Sequence, residues 1–424
     1  MFQTIKNAWH IEDTRRKLIY TAFIVILYRI GCIIPVPYVD SAAWAATFDS
    51  ETTGTIFGYL NILSGSSFSQ GTLFALSITP YITASIVMQL LTIAIPPLER
   101  LAKEPDGQKK ITQITRYVTV ILAIVTALGY YLTMRNQGAL SDKGFFAGLV
   151  IVTSYVTGAS LIMWLGEKIN ENGVGNGISI ILFFNIISRF GSLLNVAISV
   201  GKTGTGWIFV ILAGVIMLAV ITFIVWMNDA ERRLPVQYAK RTVGRKMYGG
   251  MNTHLPIKLN MSGVMPIIFA QSIVSLPSTL GLIFGWNQQG GILKFFSMTS
   301  AFGIALNFIL IIAFAYFYLT ISFNPVEVAN NLKKNGGTIL GYRPGTPTAN
   351  YIRKVLNRIT LIGSLFLGII AVFPQLIALL WPKSNLGYLV FGGSSLIIII
   401  GVVLETIKEL ESEVTMRHYK GFLE

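Results

Sequence analysis

The side chains that most often do chemistry are few in this sequence, and they stand apart from one another. His10, His254 and His418 all lie in charged segments, and Cys32 is the single cysteine. A lone thiol excludes an internal disulfide framework and a cysteine-cluster metal site. The histidines have no zinc-type spacing. No Asp, Glu or His falls inside a long apolar run, so neither a nucleophile with its base nor a set of metal-binding acids is visible. Gly173-Val174-Gly175-Asn176-Gly177 follows no strand and is a helix entry, not a nucleotide loop. Enzymatic function, a metal and a cofactor are all unexpected. What the sequence offers instead is aliphatic. Ile78 and Ile82 flank Pro80 one helical turn apart, and Ile178 and Leu182 share that spacing. Such residues can close a conduit by dewetting, or they can simply pack or face lipid.

The elements that carry them are membrane spans. Of 424 residues, 53% are hydrophobic and 12% charged, against about a quarter charged in soluble domains. Runs of about 20 apolar residues suffice to cross a bilayer as helices. Ten can be read, near 18–36, 72–95, 117–134, 145–166, 174–196, 207–227, 262–284, 301–322, 359–381 and 386–404. Arg29 and Arg189 are the charges inside them, each expected toward its span's outer end, where it can snorkel to the headgroups. Residues 1–17 are polar and end in Arg15-Arg16-Lys17, a membrane-flanking charge group and not a removable leader. Alternate connections hold 26 Lys and Arg on one side and six on the other. The positive-inside rule puts the first set, and both termini, in the cytoplasm. It also accounts for the net charge of +14 without nucleic acid.

Two cytoplasmic loops exceed what topology requires, at 228–259 and 324–356. They are either ordinary positive-inside loops or a docking surface for an acidic or RNA-bearing partner. Ten spans divide into five and five, residues 1–200 and 201–424, and the punctuation matches. Pro80 falls in the second span of one half, Pro266 and Pro277 in that of the other. Glycines open the fifth and tenth spans. Interrupted spans at matching positions of inverted repeats point to a transport pathway. A further apolar stretch, Ile56 to Gly65, is too short to cross; it either lies on the outer surface or dips into a cavity. A secondary transporter would need a midplane carboxylate, and none is present. A scaffold or insertase without a pore is the other rival to a passive conduit.

Longer motifs resemble the SecY/Sec61-alpha family of protein-conducting channels, along nearly the whole chain. They include Ile34-Pro35-Val36-Pro37, Pro80-Tyr81-Ile82 running to Gln89-Leu90-Leu91, and Gly175-Asn176-Gly177-Ile178-Ser179-Ile180. Tyr238-Ala239-Lys240-Arg241, Thr253-His254-Leu255-Pro256, Asn331-Leu332-Lys333-Lys334, Arg343-Pro344-Gly345 and Phe391-Gly392-Gly393 continue the pattern. The resemblance implies an all-α membrane protein of ten transmembrane helices, two inverted halves around an hourglass pore, in the bacterial plasma membrane. It implies an apolar ring of Ile78, Ile82, Ile178, Leu182, Ile268 and Ile398. It makes the short stretch a plug near 56–70, with Phe57, Tyr59, Leu60, Asn61, Ile62, Leu63, Ser64 and Gly65. Gln89, Gln271 and Ser272 become polar members of a lateral gate, and Lys240, Arg241 and Arg343 a docking set for the ribosome and the SecA ATPase. SecE and SecG are the implied small membrane subunits. Unfolded polypeptides bearing signal sequences are the implied cargo, with lipid receiving apolar segments and no nucleic-acid sequence being read.

Overall fold

The computed structural model describes residues 8–46, 61, 64–202, 206–238, 241–243, 246–248, 252–283, 300–380 and 393–420. The first apolar run becomes α1 (Glu12–Gly31) and is followed by the short α2 (Ser41–Ala46). The second run stays in turns through Ile78 and becomes helical only as α3 (Thr79–Ala94). Pro80 lies in the first turn of α3, where its missing N–H has no helical partner to lose and its fixed φ favours the helix. Pro80 therefore starts this span instead of breaking it. Pro266 occupies the same place at the start of α10 (Met265–Ile283). The matching punctuation of the two halves is thus a matching way of starting a helix.

After α3 the chain bends by 101° into the surface helix α4 (Pro96–Lys103). The long spans α5 (Gly107–Asn136) and α6 (Phe145–Asn172) follow. The fifth run is divided into α7 (Gly177–Ser188) and α8 (Phe190–Gly201), with Arg189 at the break. Then come α9 (Gly206–Asp229), α10, α11 (Ala301–Ser322), the short α12 (Pro325–Lys334), α13 (Thr346–Leu380) and α14 (Gly393–Lys420). Among the described residues, α5, α6, most of α9, α11 and α13 are long and apolar enough to cross unaided. The other runs give helices that are short, broken or charged at one end. Their place is set by neighbours more than by their own hydropathy.

The basic loops are built, not slack. β1 (Glu231–Tyr238) pairs antiparallel with β4 (Asn252–Lys258) on one side and with β5 (Gly337–Ile339) on the other. β2 (Arg241–Val243) and β3 (Lys246–Tyr248) form a separate hairpin. Leu234 and Val236 alternate inward from β1 and meet Ile257, Ile339, Ile352 and Leu356 in a small core of their own. Period-two burial of this kind is what makes a strand of a charged segment.

The halves meet along two seams. On one, α10 packs against α3 and α5; on the other, α14 packs against α7.

Candidate functional site

Each central aliphatic side chain is placed by a helix start. Ile78 is the residue before α3, and Ile82 follows one turn later. At the start of α7, Asn176 Oδ1 accepts from the N–H groups of Ile178 and Ser179 at 3.1 and 3.3 Å. That cap satisfies two donors a helix N-terminus leaves open, an effect of about 1 kcal/mol. It also fixes the direction in which Ile178 and Leu182 leave the helix. Ile268 belongs to the first turns of α10, where the N–H groups of Ile267 and Ile268 bond back to the Val264 carbonyl. Ile398 lies on α14 among Leu396, Ile397 and Ile400, all buried.

All six belong to or border one apolar cluster. Ile78, Ile82, Leu182, Ile268 and Ile398 are at most 7% exposed and belong to one apolar cluster drawn from both halves, with Ile178 packed against it. Gly166 of α6 lies beside two of them: a Cβ there would touch Ile78 at 3.7 Å and Ile178 at 3.9 Å. An ion forced into such surroundings loses hydration with nothing to replace it. An apolar constriction of this kind excludes ions without a charged filter.

Around the centre the expected site residues are placed unevenly. Of the short stretch, Asn61, Ser64 and Gly65 are described; Phe57, Tyr59, Leu60, Ile62 and Leu63 lie outside the described residues. The Asn61 carbonyl accepts from Ser66 N–H at 3.0 Å, and Ser64 Oγ accepts from Phe68 N–H at 3.1 Å. Phe68 is buried edge-on against Trp44 and Tyr130, and its carbonyl accepts from Trp44 Nε1 at 2.8 Å. Gly65 lies against α7 with φ +63°, where a Cβ would meet the Asn185 backbone at 3.1 Å. Glycine is the residue that accepts both that φ and that approach.

Gln271 and Ser272 are buried on α10, beside Ser275, whose Oγ donates to the Ser272 carbonyl at 2.8 Å. Gln89 is exposed on α3. Lys240 lies outside the described residues, and Arg241 opens β2. Arg343 is exposed on a firm turn between Gly341 and Gly345, both at positive φ. Thr348 Oγ1 donates to the Arg343 carbonyl at 2.8 Å, and Tyr342 stacks on Tyr351 at 4.0 Å.

Arg29 does not simply reach for headgroups. From the last turn of α1 its Nη2 donates to the Phe184 carbonyl of α7, tying the two helices. Arg116 Nε of α5 donates to Glu167 Oε1 of α6 at 2.8 Å. Two wholly buried asparagines escaped the sequence reading, Asn185 on α7 and Asn307 on α11. The available signal was a single amide inside an otherwise apolar run, costly enough to need a reason.

Comparison with known proteins agrees with this geometry. A sequence model of the SecY family matches residues 72–407. The protein translocase subunit SecY of Streptomyces scabiei is 44% identical, with the whole of both chains covered. A solved protein-conducting channel superposes with a TM-score of 0.70 at 20% identity, covering 94% of this chain and 92% of the other. Sec61 from a canine ribosome–channel complex of the endoplasmic reticulum gives 0.63 at 19% identity, with 94% and 92% covered.

Proposed function

The chain belongs to the SecY family, and we propose that it is a multi-pass protein-conducting channel passing unfolded polypeptides across the membrane and releasing apolar segments sideways into lipid. The observation that supports this is that the six aliphatic residues, from both halves, belong to or pack against one buried apolar cluster that holds no carboxylate among its described members. A coupled transporter would need ionisable groups there to bind and release its ion. A sealed apolar centre needs only to be displaced by the cargo.

The division of labour follows from placement. The six form the constriction, and the segment near 56–70 is the plug on its outer side. The seam between α10 and α3–α5 is the lateral gate, with Gln271 and Ser272 among its polar members; the exposure of Gln89 fits a role at the seam's rim. The cytoplasmic sheet and the Arg343 turn form the docking face for a ribosome or the SecA motor, and SecE and SecG complete the complex. The Sec61 relative is itself found in a ribosome complex. The bacterial plasma membrane, with both termini cytoplasmic, is the location that the loop charges support.

The experiment is a secretory precursor stalled in transit, with photocrosslinking probes at positions 82 and 398. Crosslinks from both are expected. Contact from neither would remove the central path.

A further inference from the structure

Asn307 on α11 has none of its surface exposed, and neither Nδ2 nor Oδ1 meets a hydrogen-bond partner among the described residues. An unmet amide inside a membrane bundle is costly. Its neighbours follow from the helix geometry. Phe314 lies seven residues on, two turns along the same face, and packs edge-on against Phe269 of α10 with ring centroids 5.8 Å apart. The two helices are consecutive spans and run antiparallel. Two turns back along α11 therefore correspond to two turns forward along α10, at Leu276 and Pro277.

Pro277 is a proline inside α10. It has no N–H, so the Ile273 carbonyl one turn earlier loses its helical donor. The other in-span proline, Pro374 of α13, has a different arrangement. There the freed carbonyl, of Ile370, is covered by the start of α14: a Cβ on Gly393 would come within 1.8 Å of it. Pro277 has Asn307 on its level instead.

We propose that Asn307 is a positioning residue of the lateral seam, its Nδ2 supplying the donor that Pro277 withholds from the Ile273 carbonyl once α10 swings open at its proline. The proposal rests on the channel function proposed above. With the seam closed the amide goes unmet. With it open the amide is satisfied, so one hydrogen bond tilts the equilibrium toward opening.

The test is a double-mutant cycle in reconstituted complexes, using precursors whose signal segments are graded in hydrophobicity. Asn307→Leu keeps the γ-branched shape and removes the amide. Export of the weakest signal should fall about three- to tenfold, the size of one interhelical hydrogen bond in a membrane, while the strongest signal is little affected. Pro277→Ala restores the carbonyl's own donor, so adding Asn307→Leu to it should change nothing further. Equal effects of Asn307→Leu in both backgrounds, or no effect in the parent, would overturn the proposal. Should the leucine variant fail to accumulate, Asn307→Ala in the same two backgrounds closes the cycle. Failure of the parent complex to export any precursor would count against the channel function itself, not against Asn307.

Discussion

The two seams between the halves are closed by different means. Where α14 meets α7, shape and reach dominate. Gly175, at φ +79°, brings the α6–α7 turn to α14, where a Cβ would lie 3.1 Å from Thr406 Oγ1. Beyond it Ala8, Val174, Leu410 and Val414 form a cluster, and Lys17 pairs with Glu413. The N-terminal segment, a turn of the first half and the last helix of the second are thereby joined. Where α10 meets α3 and α5, the buried face of α10 carries Gln271, Ser272 and Ser275, and the helix itself is weakened at Pro277. One seam is tied at its end by the N-terminal segment and an ion pair, and the other sets buried polar groups among apolar ones on a helix that carries an internal proline. On the proposed channel reading, the first seam is the pivot and the second the opening.

Breaking the pivot should have the largest effect. Gly175→Leu must enter a positive-φ position and displace Thr406 and Ile180, together costing about 2–4 kcal/mol. The expected result is a lower midpoint of thermal unfolding in the purified complex, with export falling along with folded protein. Softening the opening should act on selectivity instead. Gln271→Leu removes hydrogen bonding worth about 0.6–1.7 kcal/mol in a membrane. Precursors with weak signals should then be exported several-fold faster at an unchanged unfolding midpoint. Gln89→Leu, exposed on α3, should leave that selectivity where it was, which separates the buried face from its rim. Lys17→Ala should matter least. Its pair with Glu413 is partly exposed, and such pairs contribute about 1 kcal/mol or less, readable as a small shift in unfolding midpoint that high salt abolishes.

Away from both seams, Arg343→Glu tests the docking face. Motor-driven export should be lost while insertion and unfolding midpoint stay normal, since the side chain is exposed on a turn held by backbone and Tyr342–Tyr351 stacking. Normal export would remove Arg343 from that face.

Much of the fold was legible because a bilayer enforces a simple length rule: apolar runs of sufficient length become spans. The aliphatic pairs around Pro80 and at Ile178 and Leu182 were visible as spacing, and the longer motifs joined Ile268 and Ile398 to them. Three features were not read. Turn structure from Thr72 to Ile78 hides inside an apolar run, because hydropathy does not distinguish backbone shape. The strand at Glu231–Tyr238 was masked by its charge, although Leu234 and Val236 carry the alternating signal. The asparagines of α7 and α11 become informative only when burial is known, since a lone amide in a span can equally face lipid headgroups or a neighbour.

The central claim is that the meeting point of the two halves is a seal made only of aliphatic side chains. Ion conductance of vesicles reconstituted with the complex tests it most directly. With Ile82, Ile268 and Ile398 replaced by serine, the idle channel should leak ions well above the parent. Conductance equal to the parent, in protein that inserts and unfolds normally, would contradict the account.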